Sequence, residues 1–194
     1  MTDATTDATT ETASPSPAGE RRWRDDLHLA HTIADQVDPL TRGHFEAQDV
    51  EVETKPDLTP VTAADREAER LIRDYLSRAR TRDSVLGEEF GVTGHSPRQW
   101  IIDPIDGTKN FVRGVPVWAT LISLVEDGRV VVGLASAPAL GKRWWAVAGG
   151  GAWSGRSLAL AHRLHVSGVT ALEDASLSYS SLSGWAERRR LRGM

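Results

Sequence analysis

Two carboxylates three residues apart, Asp103 and Asp106, are the residues of this sequence best suited to chemistry. They follow the bulky apolar run 100–102, which is typical of the end of a buried strand. Pro104 lies between them and removes a backbone donor, so we expect a bend there. The pattern predicts two hard oxygen ligands leaving one bend, an arrangement that suits a divalent cation.

The residues after this pair favour a phosphate site. Gly107 allows a tight turn, and Thr108 or Asn110 is expected to cap a short helix. Backbone N–H groups at a helix N-terminus attract anions. Metal and phosphate are therefore predicted side by side.

Three further acids precede the pair. Asp65 falls in the first turn of a predicted helix capped by Thr62, where stabilisation of the helix dipole alone would account for it. Glu88 and Glu89 follow the apolar strand 84–86 between two glycines. They fit either a strand end that projects one carboxylate into a cleft or a solvated acidic turn.

Two-metal phosphoester chemistry gives these acids a shared role. Two magnesium ions about 4 Å apart can clamp a phosphoester and stabilise both its attacking and leaving oxygens. Asp103 suits a ligand that bridges both ions, with Glu88 and Asp106 on either side, and Asp65 with Thr108 suits the attacking water. Without cations, so many acids in one cleft would repel one another.

The surrounding elements must position these groups. Apolar residues 27–37 recur at helical spacing, Pro39 is expected to interrupt that helix, and a second helical piece is predicted to run to about Phe45. Histidine pairs at 28/31 and 162/165 lack further donors, so packing or surface roles are favoured over metal binding. The other predicted elements are a strand at 50–54, a helix over 63–79, a loop at 92–99, strands 119–125 and 130–135 joined by an Asp-Gly hairpin turn, a strand at 144–147, a turn at 149–151, and extended pieces at 152–153, 157–160 and 175–180.

Composition restricts the class of protein. The 194 residues are 40% hydrophobic, carry a net charge of -4 and include no cysteine. Disulfides, cysteine-based zinc sites and a thiol nucleophile are excluded, and neither nucleic acid nor a membrane is expected as a partner. We expect a disordered leader at 1–20, one domain over 21–185, a basic tail at 186–194 and a cytoplasmic location.

Taken together, the motifs resemble the inositol-monophosphatase-like family of magnesium-dependent phosphatases, and most closely its histidinol-phosphatase branch. Three motifs carry the family resemblance: Thr62–Asp65, Gly87–Glu89 and Asp103–Thr108. The sequence segments that are similar to the histidinol-phosphatase branch are Trp100–Thr120, Ser136–Gly141 and Leu172–Ser180.

The resemblance implies an α+β fold, a layered α/β sandwich of the inositol monophosphatase/fructose-bisphosphatase type. It also implies magnesium-dependent hydrolysis of a small phosphorylated alcohol. The implied roles are Glu88, Asp103 and the Ile105 carbonyl at the first Mg²⁺, Asp103 and Asp106 at the second, Asp65 and Thr108 on the water, and the Gly107 and Thr108 amides on the phosphate.

The sequence departs from the family pattern at two points. Ala63 replaces a common acid, which should be tolerable. After Ala175 the sole acid is Glu187, and no Trp-Asp pair follows, so the second metal site is expected to lack one ligand. We therefore expect a truncated chain with an exposed sheet surface that could form a homodimer. Three functions stay open: L-histidinol phosphate phosphatase, inositol-1-phosphate phosphatase, and an impaired metal-binding fragment.

Overall fold

A computed structural model of the protein describes residues 17–47, 52–54 and 60–178. The chain divides into two compact units, Met1–Leu164 and His165–Met194. The first helix begins at Pro17, so the predicted disordered leader is wrong for residues 17–20. The rest of the leader, the basic tail at 186–194 and the end of the predicted 175–180 strand lie outside the described residues.

The described part of the chain contains helices, strands and two short 3-10 turns. The helices are α1 (Pro17–Ala47), α2 (Ala63–Ala79) and α3 (Thr108–Val112). The strands are β1 (Val52–Thr54), β2 (Pro60–Thr62), β3 (Ser84–Gly87), β4 (Gly91–Thr93), β5 (Arg98–Asp106), β6 (Ala119–Glu126), β7 (Arg129–Ala137), β8 (Lys142–Val147), β9 (Gly151–Gly155) and β10 (Ala161–Leu164). The 3-10 turns are Pro138–Leu140 and Leu172–Asp174.

Eight strands of the first unit form one mixed sheet in the order β10-β9-β8-β7-β6-β5-β3-β4. From β5 to β10 each strand pairs antiparallel with the next in sequence, whereas β3 and β5 are parallel. Strands β1 and β2 form a separate ribbon. The mixture of helices with a largely antiparallel sheet confirms the predicted α+β class. No helix within the described ranges is long and apolar enough to cross a membrane.

The main core lies between the sheet and the two long helices. Its side chains come from one stripe of α1, one stripe of α2 and the alternate, inward-facing positions of the central strands, as the periods of helix and strand require. The members with 0% exposure are Ala30, Ile33, Ala34, Val37, Ala68, Ile72, Trp100 and Leu124. This packing fixes the position of the strand ends near which the acidic residues lie.

Pro39 lies inside α1, so the predicted interruption is wrong. A proline in a helix loses one backbone hydrogen bond, at a cost of about 3 kcal/mol. Val37 and Thr41, on either side of it, are completely buried. Their packing outweighs the local penalty, and α1 continues past the proline to Ala47.

The predicted hairpin is confirmed. Strands β6 and β7 are joined through Asp127 and Gly128, which both have positive φ (49° and 76°), as a two-residue turn of this kind requires. Two other predictions are wrong. Residues 92–93 belong to β4 and residues 98–99 to β5, where a loop was expected over 92–99, and residues 157–160 form turns rather than an extended piece.

A buried polar cluster joins α1 to β7 and β8. The Arg143 guanidinium donates to Asp35 at 2.7 Å, to Asp38 at 2.5 Å and to the Ser136 hydroxyl at 2.9 Å. His31 lies against this cluster and packs edge-on to Trp145, with ring centroids 4.6 Å apart. The prediction of a packing role for His31 is confirmed.

His31 makes stability depend on pH. Burial and the charge of Arg143 lower its pKa from 6.5 to about 4. Below pH 6.5 His31 binds a proton in the unfolded chain but stays neutral in the folded protein, so the unfolded state is favoured there. His31 therefore does not lower the free energy of unfolding above pH 6.5, and it lowers it progressively as the pH falls toward 4. At pH 5 we expect a loss on the order of 2 kcal/mol.

Denaturant unfolding at pH 7 and pH 5 checks this expectation. Wild type should lose more stability than His31→Phe, which keeps an aromatic ring beside Trp145. His162→Phe, at an exposed position of β10, should behave as wild type does. Equal losses in wild type and His31→Phe would contradict the assignment.

A second charged cluster lies where α1 meets the start of β5. The Arg98 guanidinium reaches Asp26 at 2.9 Å, Asp83 at 3.1 Å and Glu126 at 3.3 Å. Asp26 is 1% exposed and also accepts from Arg80 at 2.7 Å. One arginine thus pairs with three carboxylates. Burial alone would lower the pKa of Arg98, but these partners outweigh that effect and raise it.

Candidate active site

A bulge in β5 brings the two central carboxylates to the same side. Pairing with β6 runs to Asp103 opposite Leu121 and resumes at Asp106 opposite Ala119, so β5 carries one extra residue. On a regular strand, residues three apart face opposite sides of the sheet, and the extra residue cancels that inversion. The predicted bend at Pro104 is therefore a bulge, and the buried Thr120 hydroxyl donates to the Pro104 carbonyl at 2.8 Å.

Asp103 is the electrostatic centre of the site. Burial, the negative charges of Glu88 and Asp106, and a hydrogen bond with Glu88 raise its pKa from 3.8 to about 8, against the opposing effect of the Ile105 backbone N–H. Its Oδ1 is buried and has no hydrogen-bond partner among the described residues. A buried carboxylate oxygen left without a donor, beside two other acids, is suited to a cation.

Glu88 reaches Asp103 from the neighbouring strand. It follows β3, which pairs parallel to β5 with Gly87 opposite Ile102. Parallel strands end at the same edge of a sheet, so the turn after β3 lies beside the bulge. Glu88 therefore projects from a strand end toward Asp103, with which it shares a hydrogen bond.

The turn after the bulge is built on Gly107. Its φ of 90° is in the left-handed region, and an added Cβ would lie 3.2 Å from the Val117 carbonyl, so glycine is required here. Gly107 itself is the N-cap of α3, and the expectation that Thr108 or Asn110 caps this helix is wrong. The Thr108 hydroxyl instead donates to the Ile105 carbonyl at 3.1 Å.

Asp65 and Thr62 form a reciprocal cap at the start of α2. The Asp65 carboxylate accepts from the Thr62 backbone N–H at 2.8 Å and from its hydroxyl at 2.5 Å, and the Asp65 N–H donates back at 3.3 Å. Thr62 is the predicted N-cap, and it is confirmed. The helix-stabilising interpretation of Asp65 is also confirmed by these contacts.

A small apolar cluster ties the start of α2 to the bulge. Ala64, Ile105, Phe111 and Trp118 are buried together, with Phe45 of α1 packed against them. The rings of Phe111 and Trp118 pack edge to face with centroids 5.0 Å apart. The residue before Asp65 and the residue before Asp106 therefore share one core, which places the two acidic segments next to each other.

The carboxylate oxygens of Glu88, Asp103 and Asp106 suit a hard cation, although these side chains are not arranged around a single position. Among the described residues, no three His, Asp or Glu side chains converge closely enough to enclose a metal ion. Glu88 and Asp106 are exposed, so their carboxylates can rotate. Glu88, Asp103 and Asp106 are the side chains that would hold such a cation.

Glu69 is a residue of this region that sequence reasoning missed. It lies on α2 between the buried Ala68 and Ile72, and its own side chain is completely buried. Its carboxylate accepts hydrogen bonds from the turn that carries Glu88. A glutamate on the apolar stripe of a helix was the signal that could have revealed it.

Known proteins resemble this chain in sequence and in fold. The inositol monophosphatase family model matches residues 23–193. A histidinol-phosphatase of Streptomyces coelicolor is 66% identical over 175 residues, which cover 88% of this chain and 66% of that protein. A histidinol-phosphatase of Mycobacterium tuberculosis is 61% identical over 163 residues, covering 84% and 63%. The structure of a Thermotoga maritima IMPase matches with a TM-score of 0.70 and 34% identity over 87% of this chain and 65% of that one.

This chain spans about two thirds of the length of the curated relatives it matches. The family match covers most of the chain and includes all three motifs identified in the sequence. The resemblance to the family, to its histidinol-phosphatase branch and to its layered fold is confirmed. The chain belongs to the inositol monophosphatase family.

Proposed function

We propose that this protein is a magnesium-dependent phosphomonoesterase that hydrolyses L-histidinol phosphate to L-histidinol. The observation that carries the proposal is the buried, unpartnered Oδ1 of Asp103 beside Glu88 and Asp106. A cluster of carboxylates such as this one is costly in free energy without a bound cation, because each added negative charge raises the energy of the others. Binding of Mg²⁺ would remove that cost.

The ligand roles are those that the family resemblance implies. Glu88, Asp103 and the Ile105 carbonyl would hold one Mg²⁺, and Asp103 with Asp106 would hold a second. Bound magnesium neutralises the charge that develops on the reacting phosphoryl group. The Thr108 hydroxyl contacts the Ile105 carbonyl. Thr108 and Asp65 would orient the attacking water, as the family resemblance implies.

The phosphate would lie against the turn that begins α3. Gly107 is the N-cap of α3 and Thr108 is its first residue. Backbone N–H groups at these positions have no carbonyl partner within the helix. Gly107 has no side chain, so a ligand can approach its backbone closely. These amides would orient the phosphate while the acids bind the metal.

The substrate is inferred from the relatives. The two histidinol-phosphatases at 66% and 61% identity favour L-histidinol phosphate, whereas the similarity to an IMPase structure at 34% favours inositol-1-phosphate more weakly. The proposal therefore predicts a small phosphorylated alcohol as the ligand, with neither nucleic acid nor a membrane surface as a partner.

Phosphate release from the two substrates, with and without Mg²⁺, tests the proposal. We expect magnesium-dependent release from L-histidinol phosphate that exceeds release from inositol-1-phosphate. Preference for inositol-1-phosphate would overturn the substrate assignment. Binding of Mg²⁺ without release from either substrate would favour the alternative of an impaired metal-binding protein, and absence of binding would contradict the site itself.

A further inference from the structure

A buried carboxylate of α2 organises the turn that presents Glu88. Glu69 is 0% exposed, and its Oε1 accepts from the Arg73 guanidinium at 2.8 Å and from the Phe90 N–H at 3.1 Å. Its Oε2 accepts from the Glu89 N–H at 2.7 Å. A buried charge is retained only when such donors satisfy it, and here two of the three belong to the turn.

The sequence of the turn is adapted to this carboxylate. A Cβ added at Gly87 would lie 2.0 Å from Oε1 of Glu69, well inside any allowed contact. The glycine before Glu88 is therefore required by the approach of Glu69. Its backbone φ is not in the left-handed region, so conformational freedom does not explain it.

Two arginines of α2 hold the far side of the same turn. Arg73 donates to the Gly91 carbonyl at 2.5 Å and to the Thr93 hydroxyl. The Arg70 guanidinium lies 5.1 Å from the centre of the Phe90 ring. The segment from residue 87 to residue 93 is thus held against α2 at several points.

We propose that Glu69 is a positioning residue for the metal site and acts through Glu88. Glu88 lies between Gly87, which contacts Glu69, and Glu89, whose N–H donates to it. Its backbone is therefore fixed while its exposed carboxylate projects toward Asp103. The inference rests on the proposed metal site, because it assigns to Glu69 the placement of one of that site's ligands.

The substitution Glu69→Gln keeps the shape of the side chain and removes its charge. We expect the affinity for Mg²⁺, measured by titration calorimetry, to fall roughly tenfold to a hundredfold, as loss of a residue that orients a metal ligand typically does. The Glu89 and Phe90 amides should exchange hydrogen faster in the metal-free variant. Glu67→Gln, on an exposed face of the same helix, should bind Mg²⁺ as wild type does.

A double-mutant cycle distinguishes positioning from general destabilisation. If Glu69 acts through Glu88, then Glu69→Gln should have no further effect on Mg²⁺ affinity once Glu88→Gln is present. The same loss of affinity in both backgrounds would overturn the proposal, and so would wild-type affinity in Glu69→Gln alone. Should Glu69→Gln fail to fold, Arg73→Gln takes its place in the cycle, with the same expected non-additivity.

The cycle also separates this inference from the proposed function. Wild-type protein that binds no Mg²⁺ contradicts the metal site. Wild-type binding that survives Glu69→Gln unchanged contradicts only the role of Glu69. Unchanged exchange of the Glu89 and Phe90 amides in metal-free Glu69→Gln would overturn that role without reference to metal.

Discussion

Asp103→Asn should abolish phosphate release, with a loss on the order of a thousandfold, and should weaken Mg²⁺ binding to the same site. Asparagine has the shape of aspartate but supplies one neutral oxygen, so it cannot bridge two cations as a carboxylate does. The same change should stabilise the metal-free fold near neutral pH, because the raised pKa of Asp103 means that this carboxyl must take up a proton on folding, whereas asparagine needs none. Opposite effects on stability and activity mark a residue kept for function.

Three measurements on this variant are needed together. Calorimetric titration gives the affinity for Mg²⁺, phosphate release gives the activity, and thermal unfolding in the presence of a chelator gives the stability. Asp74→Asn is the matched control, because Asp74 is an exposed aspartate of α2 paired only across one helical turn with Arg78. Wild-type Mg²⁺ affinity and wild-type turnover in Asp103→Asn would eliminate Asp103 as a metal ligand.

The second large expected effect is a loss of stability on substitution of Arg98, which has no role in the proposed reaction. Arg98→Met should destabilise the fold by about 3–5 kcal/mol, because it leaves Asp26, Asp83 and Glu126 clustered without their shared cation. Asp26 is almost completely buried and would keep only the Arg80 contact on its other oxygen. A loss of this size is a large share of the 5–15 kcal/mol that typically stabilises a folded domain.

Urea unfolding of Arg98→Met measures the effect. Arg98→Lys should be intermediate, because one ammonium cannot reach three carboxylates in the planar arrangement of a guanidinium. Arg78→Met, at an exposed helical ion pair, should change stability by less than about 0.5 kcal/mol. A deficit in Arg98→Met no larger than that of Arg78→Met would show that the three acids are satisfied by other partners.

Local signals in the sequence predicted those parts of the fold that depend on neighbouring residues. The Asp127-Gly128 turn and the Thr62 cap each require particular residue types within a few positions, and both predictions are confirmed. Pro39 shows the opposite case. Its local preference is overruled by the packing of Val37 and Thr41 against residues distant in sequence.

The site was predictable as a set of acids but not as a geometry. Residue types, two-metal chemistry and the family resemblance predicted Glu88, Asp103 and Asp106 as candidates, yet Asp103 and Asp106 share a side only because β5 has an extra residue opposite β6. Pro104 predicted a bend, but the extra residue is defined only by pairing with another strand, so the pattern within β5 does not reveal the change of register. Glu69 was missed for a related reason, since its partners lie about twenty residues along the chain.

The order of the sheet has a consequence for the kinetics of folding. From β5 to β10 every strand pairs with its neighbour in sequence, and such local contacts form early because little chain entropy is lost in closing short loops. The docking of α1 is different. The contact from Trp23 to Glu126 spans 103 residues, and the contact from Asp38 to Ser136 spans 98.

We therefore expect α1 to join the sheet after the rate-limiting step. Changes at its attachment points, including Arg98→Met, should then accelerate unfolding while leaving the refolding rate nearly unchanged. Until α1 docks, the apolar face formed by residues such as Leu124 and Trp100 is open to other chains. The lifetime of that intermediate, rather than the stability of the finished fold, would then govern how readily the protein aggregates during refolding.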